Sequence, residues 1–182
     1  MNGASAFRCR ARREGLRCAA VPAPESTVPT AASESLLVRR ALPADLAALV
    51  ELEHASFAGD RLSPRQWRHH LHSASAWVLV GAQGRRVAGA AVVFFRSGSR
   101  VARLYSLAVS ERERGRGLGA RLLEAVERIA RRRRCDRLRL EVRRDNLAAQ
   151  RLYERRGFHR IAEIPSYYED GEDAIRYEKP LA

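Results

Sequence analysis

Between Arg114 and Gly119 the chain reads Arg-Gly-Arg-Gly-Leu-Gly, and these residue types at this spacing can hold an anion. Gly115, Gly117 and Gly119 carry no Cβ to keep an approaching phosphate off the backbone N–H groups, and Arg114 and Arg116 bring two guanidiniums beside them. Beyond the turn, Leu118, Leu122, Ala125, Val126 and Ile129 recur at helical spacing. The turn therefore opens a helix, where unpaired N–H groups and the macrodipole both favour negative charge. The chemistry is that of a pyrophosphate cradle; the plain alternative is a glycine-softened, solvated loop.

Two common phosphate loops do not fit. A nucleoside-triphosphate P-loop needs Lys followed by Ser or Thr, and a dinucleotide fingerprint needs two residues between its second and third glycines. Neither is present.

With 182 residues the chain has room for one α/β domain with a substantial core. It carries a formal net charge of +13, with Lys179 the only lysine among 34 basic residues. Residues 111–160 hold 17 Arg against 8 acidic residues. The positive field thus surrounds the glycine turn and would steer a polyanionic cofactor there, although net charge alone does not separate a cofactor from a nucleic acid. Cys9, Cys18 and Cys135 are odd in number and contain no C-x-x-C pair, which argues against a disulfide framework or a structural zinc and for a reducing compartment. His69, His70 and His72 lack carboxylate or thiol companions and read as a solvated helix face, so no metal is expected. No apolar run reaches membrane-spanning length, and Ala19–Val21 is too short for a signal-peptide core, so the expected location is cytoplasmic.

The elements that must position the turn follow from pattern. Residues 1–35 hold five Arg, three Pro and no repeating apolar pattern. They are expected to form a disordered arm, because they cannot bury enough surface to offset their ordering entropy. A transit peptide, a solvated tail and an early start codon are the readings open for that arm. Leu36–Arg39 is a first strand. Pro43 sits at the first turn of a helix whose Leu46, Leu49 and Val50 share a face with His54 or Phe57. Ser63-Pro64-Arg65-Gln66 is a capping box that opens a second helix. Trp77–Val80, Val87–Phe95 and Val101–Val109 form an antiparallel meander around Gln83-Gly84 and Ser97-Gly98-Ser99. After the long helix, Leu138, Leu140 and Val142 alternate as a strand; a helix over Asn146–Arg156 ends at Gly157; and two strands close the chain over Phe158–Ile164 and Ala174–Lys179. The order is strand, two helices, three strands, helix, strand, helix, two strands. That predicts an α/β fold with a mixed, mostly antiparallel central sheet flanked by helices over residues 36–182.

The Arg114–Gly119 spacing resembles the Arg/Gln-x-x-Gly-x-Gly/Ala motif of the GCN5-related N-acetyltransferase (GNAT) family. Residues 36–181 agree with that family's layout. Leu140-Glu141-Val142-Arg143, Asn146-Leu147-Ala148-Ala149, Leu152-Tyr153-Glu154, Gly157-Phe158, Tyr167-Tyr168 and Asp173-Ala174 resemble the bacterial ribosomal-protein N-terminal-alanine acetyltransferases. The resemblance implies acetyl-CoA as co-substrate. Its pyrophosphate would lie on Arg114, Gly115, Arg116, Gly117, Leu118 and Gly119, and its pantetheine along the backbone of Leu107, Ala108 and Val109. It implies Glu141 as general base, Tyr153 as general acid, Asn146 as a CoA hydrogen-bonding residue, and Tyr167 and Tyr168 as acceptor-binding residues. The residues themselves also allow Glu141 as a cross-strand partner of nearby arginines, Tyr153 as a half-buried core ring and Asn146 as a helix N-cap.

Two departures bear on the acceptor: Ser166 replaces the Asn that usually precedes the tyrosines, and Gly59-Asp60-Arg61-Leu62-Ser63 stands where these enzymes carry Pro-Trp-Ser. An α-amine with a pKa of about 8 is substantially neutral at physiological pH, whereas a Lys near 10.4 is only about 0.1% neutral, which favours a protein N-terminus, such as a ribosomal protein's. A lysine, or a small cationic amine near the acidic Glu169-Asp170-Glu172-Asp173, is the alternative. So is a basic RNA- or ribosome-binding module with little catalysis, against which stands the lack of an aromatic platform among the arginines. The sequence makes nucleic acid an improbable substrate and leaves monomer or dimer open. Deleting residues 1–35 should leave the melting temperature and CoA affinity nearly unchanged; a large loss of either, by thermal denaturation or calorimetry, would show that the arm docks on the domain.

Overall fold

A computed structural model describes residues 36–57 and 61–181. The arm expected over residues 1–35, and Gly59-Asp60 in the first inter-helix connection, lie outside the described residues. The strands are β1 (Leu37–Arg40), β2 (Ala76–Gln83), β3 (Arg86–Phe94), β4 (Val101–Val109), β5 (Arg137–Arg143), β6 (His159–Ile164) and β7 (Ala174–Pro180). The helices are α1 (Leu46–Ser56), α2 (Pro64–His72), α3 (Leu118–Arg132) and α4 (Leu147–Arg155). One sheet has the order β1-β2-β3-β4-β5-β7-β6. β4 and β5 pair in parallel, and every other neighbouring pair is antiparallel. This is the mixed, mostly antiparallel α/β sheet that the pattern predicts.

Helices cover both faces of the sheet. Alternating side chains of β4 and β5, including Leu104, Leu138, Leu140 and Val142, share one core with Leu122, Leu123 and Val126 of α3 and Tyr153 of α4. Val78, Val80, Ala90 and Val92 form a second core with Leu49 and Leu52 of α1 and Trp67 of α2. Strands β2 and β3 are buried on both faces, which is why they read as near-continuous Val and Ala runs rather than alternating ones.

The helix expected from Pro43 begins instead as a 3-10 turn, Pro43–Asp45, before α1. Asp45 explains the break. Its carboxylate accepts two hydrogen bonds from Arg39, at 2.7 and 2.9 Å, and one from the Leu42 N–H at 2.7 Å, which ties the end of β1 to the start of α1. α2 opens with the expected reciprocal cap between Ser63 and Gln66.

Two features of the sheet create the site. First, the parallel ladder between β4 and β5 runs only from Val101↔Arg137 to Leu104↔Leu140. At the next residue β4 has a bulge: Val92 pairs with Ser106 and Val93 with Leu104, so Tyr105 is the extra residue. Past it the two strands diverge. Second, α3 sits unusually close to the sheet. A Cβ at Gly81 would lie 2.5 Å from Leu118 Cδ1, and one at Gly89 would lie 3.0 Å from the Ala108 carbonyl oxygen, Leu118 Cδ2 and Leu122 Cδ1. Two glycines on adjacent strands thus form a notch that receives Leu118, whose burial stabilises by about 2 kcal/mol. Gly89→Ala should lower the unfolding free energy by about 1 to 3 kcal/mol, because one of its new contacts is backbone and has no rotamer to yield. Urea denaturation would check this; full stability in Gly89→Ala would mean that the notch has slack.

Candidate functional site

A cleft of about 660 Å³ opens where β4 and β5 separate. Its walls come from the end of α1, the end of β4, the glycine turn with the start of α3, the β5–α4 connection, and α4.

The turn is built by its glycines. Gly115 and Gly117 hold φ of 76° and 82°, a region that glycine enters without strain, and a Cβ on either would meet no atom within 4 Å. Their Cα faces therefore look into open space, as a backbone anion cradle requires. Gly117 is also the N-cap of α3 and supplies no side-chain cap. The Leu118, Gly119 and Ala120 N–H groups, having no intrahelical acceptor, remain available to a ligand. Glu113, buried and itself on the cleft wall beside the turn, lies 3.4 Å from Arg86 and 3.7 Å from Arg116. Arg114 is on that wall, whereas Arg116 is not.

The β4 wall is an unpaired strand edge. Leu107, Ala108 and Val109 pair with β3 on one side, whereas β5 has already left on the other. An amide-bearing chain can dock on such an edge as an added strand would.

On the opposite wall, Asn146 caps α4: its Oδ1 accepts from the Ala149 N–H at 3.1 Å. Gln150 holds the connection in place by donating to the Arg143 and Arg144 carbonyls at 3.1 and 2.8 Å. The cap uses only half of the Asn146 amide. Its Nδ2 is buried with no hydrogen-bond partner among the described residues, and the same holds for Ser56 Oγ at the end of α1 and Arg156 Nε at the end of α4, both residues of the cleft lining. Three unpaired buried polar atoms around one cleft are groups for a polar ligand to satisfy. Sequence reading did not single out Ser56 or Arg156; the only signal available was their polar character at helix ends.

Tyr153 of α4 lines the cleft, 1% exposed, with ring centroids 5.7 Å from Phe158 and 6.3 Å from Tyr177. Tyr177 donates to Glu154 at 2.7 Å, and its own hydroxyl is pushed up to about 12, first by burial and then by that carboxylate. Glu141 does not line the cleft. Leu140 and Val142 face the core shared with Tyr153, so strand alternation turns Glu141 to the opposite face of the sheet. There its Oε1 accepts from Arg103 Nη2 and from Arg176 Nε at 2.7 Å, and its Oε2 accepts from Arg103 Nε at 3.2 Å. Arg176 is its cross-strand neighbour on β7. Glu141 is nevertheless the first residue beyond the last β4–β5 pair. It therefore stands at the mouth of the divergence on one face, as Tyr153 does on the other.

Tyr167 and Tyr168 also lie off the cleft wall. Their rings meet edge to face at 5.3 Å, both N–H groups donate to the Glu172 carbonyl at 3.1 Å, and the Arg143 guanidinium covers Tyr168 at 4.8 Å. Arg143 also pairs with Asp170, holding that carboxyl below its usual range, and Arg144 pairs with Asp173 at 3.1 Å. The acidic cluster is thus partly neutralised. Ser166 holds φ of 47°, a conformation that Asn adopts more readily than Ser.

Of the three histidines expected on a solvated face, His69 and His72 are exposed, but His70 is half-buried against Phe94 (5.0 Å) and Tyr105 (6.3 Å). Burial lowers its pKa to about 4. It follows the buried Trp67 by three residues, so helical phase turns it inward. Among the described residues no group of three or more His, Cys, Asp or Glu side chains is placed to hold a metal ion, and no helix is long and apolar enough to cross a membrane.

Comparison with known proteins bears on the fold and the family. The family model for the acetyltransferase (GNAT) family matches residues 46–158. The chain is 45% identical over 76 residues to an uncharacterized N-acetyltransferase of Methanocaldococcus jannaschii, a match spanning 40% of this chain and 47% of that protein. It is 38% identical over 71 residues to N-alpha-acetyltransferase 30 of Schizosaccharomyces pombe, spanning 39% and 47%. The chain therefore spans about half the length of the curated relatives it matches. The crystal structure of the ribosomal-protein-S18-alanine N-acetyltransferase from Escherichia coli superimposes with a TM-score of 0.72 at 28% identity, over 80% of this chain and 94% of that one.

The two duties of Asn146 can be separated. Asn146→Asp keeps a good N-cap but replaces the Nδ2 donor with negative charge, so it should hold the melting temperature and weaken CoA binding about tenfold or more. Asn146→Ala should lose both. Calorimetric titration with CoA beside thermal denaturation would check this, and an Asn146→Asp protein with unchanged affinity would remove Asn146 from the ligand.

Proposed function

Because the chain belongs to the acetyltransferase (GNAT) family, we propose that it transfers the acetyl group of acetyl-CoA to a primary amine, and that its acceptor is the N-terminal α-amine of a protein, a ribosomal protein being the leading case. The observation that carries this reading is the divergence of β4 and β5, which sets an unpaired strand edge, an anion cradle and Tyr153 around one cleft. The residues present fit acetyl-CoA. The cradle suits its pyrophosphate, the edge at Leu107, Ala108 and Val109 suits the pantetheine amides, and Asn146 Nδ2 is a buried donor in need of an acceptor.

In the proposed reaction the amine lone pair attacks the thioester carbonyl, the new C–N bond forms and the C–S bond breaks. An N–H of the β4 edge offers a hydrogen bond to the oxyanion, a contribution of roughly 3 to 4 kcal/mol per donor in comparable sites. Tyr153 gives its phenolic proton to the departing thiolate. The proton lost by the amine passes through water to Glu141, whose Oε2 keeps acceptor capacity beyond its bond to Arg103. The two groups approach the divergence from opposite faces of the sheet, so acid and base flank the thioester without touching each other. The relative named N-alpha-acetyltransferase 30 and the structural neighbour named a ribosomal-protein-S18-alanine N-acetyltransferase support the acceptor class. A cationic small molecule is disfavoured because Arg143 and Arg144 already engage Asp170 and Asp173. The proposed setting is the cytoplasm.

Intact-mass analysis of N-terminal peptides, lysine peptides and small amines after incubation with acetyl-CoA tests the acceptor: acetylation of lysine peptides alone would overturn it. Tyr153→Phe keeps the ring and removes the acid, so kcat should fall roughly 10² to 10⁴-fold with little change in acetyl-CoA binding. Glu141→Gln should be defective mainly at low pH, where the amine is protonated, and recover as pH approaches the amine pKa. A pH-independent defect with reduced stability would make Glu141 the anchor of Arg103 and Arg176 instead.

A further inference from the structure

The far end of α3 carries a feature that acetyl transfer does not use. Arg131, Arg132, Arg133 and Arg134 leave the helix together and are exposed. Among the described residues no carboxylate lies within ion-pair distance of Arg40, Arg132, Arg133 or Arg134, whereas most other arginines of the domain are paired. The sequence had suggested arginines without aromatic neighbours; the fold supplies them from other strands. The Arg40 guanidinium lies 4.4 Å over Trp77 on β2, and Arg133 lies 5.2 Å from the same ring and 4.6 Å over Phe95. Arg133 also donates to the Ala74 carbonyl at 3.2 Å. Arg100 and Arg137 border the same end through Asp136, which pairs with both.

Stacking matters chemically. A guanidinium laid on a ring is held by its face, so its N–H groups point outward from the edge and lose little entropy on meeting an anion. The rings are covered by arginine and are not open to bases. Recognition here is therefore of charge spaced along a backbone. The exposed large apolar side chains, Leu37, Leu42, Leu147 and Ile161, include none from the last turn of α3 or from Trp77 to Phe95; Leu42, two residues beyond Arg40, borders the patch at the end of β1. The 15 residues of α3 put this end about 22 Å from the glycine turn.

We propose that the surface formed by Arg40, Arg132, Arg133 and Arg134 on the Trp77–Phe95 platform binds the phosphodiester backbone of a structured nucleic acid, independently of the acetyl-CoA cleft. It docks the enzyme and takes no part in acetyl transfer. With four unpaired guanidiniums the surface contributes roughly 3 to 4 to the slope of log affinity against log salt.

The test uses the full-length chain and fluorescence anisotropy with a labelled RNA duplex, the matching DNA duplex and polyglutamate, each with and without saturating acetyl-CoA. Arg132→Gln/Arg134→Gln should keep the melting temperature and acetyltransferase activity, lower the salt slope by about 2, and weaken duplex binding roughly 30-fold near 0.15 M salt. The RNA-to-DNA affinity ratio identifies which polymer supplies the backbone. An unchanged slope in the double variant would assign binding to another basic segment and overturn the proposal. So would loss of binding with saturating acetyl-CoA, or equal affinity for polyglutamate, which would make the surface a site for acidic protein. A Tyr153→Phe protein that binds duplex as the unaltered chain does, whatever its turnover, would separate this surface from the acetyl-transfer reading.

Discussion

The structure depends on a parallel strand pair that stops. Four residues of β4 pair with β5, and then the bulge at Tyr105 turns β4 away. Beyond that point a backbone edge in the middle of a sheet has no strand to bond, a costly state unless something else supplies the hydrogen bonds. The glycine turn at the end of β4, the Asn146 cap beyond β5 and Tyr153 all line the cleft at this gap, and Glu141 stands beside the gap on the opposite face of the sheet, off the cleft wall. Such an edge is open to a ligand with amides along its length.

The helices hold the gap open and aim its polar groups. α3 starts at the end of β4, so its N–H groups converge where the chain leaves the sheet. A Cβ at Gly119 would lie 3.5 Å from Leu152 and 3.6 Å from Val109, contacts that bring α3, β4 and α4 to one point. The β5–α4 connection is fixed by Gln150 on two carbonyls, which orients Asn146. The charge arrangement follows the same division. Arginines of β4, β5, β7 and the β5–α4 connection are tied to Glu141, Asp170 and Asp173, whereas Arg133 at the far end of α3 rests on aromatic rings.

Much of this was legible in the chain because local rules govern it. The Ser63 cap, the meander, the amphipathic phase of Leu118 to Ile129 and the glycine spacing each depend on residues within a few positions of one another. The Asn146 cap was readable for the same reason. What depends on registry was not. No local pattern says that Tyr105 is the extra residue of a bulge, that β5 pairs with β4 for only four residues, or that Arg133 meets Phe95. His70 shows the boundary between the two: its phase with Trp67 was in the sequence, but the ring pocket of Phe94 and Tyr105 is made by two strands that arrive later in the chain. Glu141 illustrates how one side chain supports two readings, since the strand pattern set its face and only the fold set its arginine partners.

The notch at Gly81 and Gly89 bears on how this domain tolerates change. Most core positions can exchange one apolar side chain for another of similar volume, since neighbouring rotamers absorb the difference. At these two positions the space is defined by the absence of atoms, and the Leu118 side chain that fills it belongs to the residue next to the helix cap. At Gly81 an added Cβ would press on Leu118 alone, whose side chain can yield, whereas at Gly89 it would also press on the Ala108 carbonyl, which cannot. Two residues off the cleft wall thus bear on how closely the start of α3, and with it the glycine turn, can lie against the sheet.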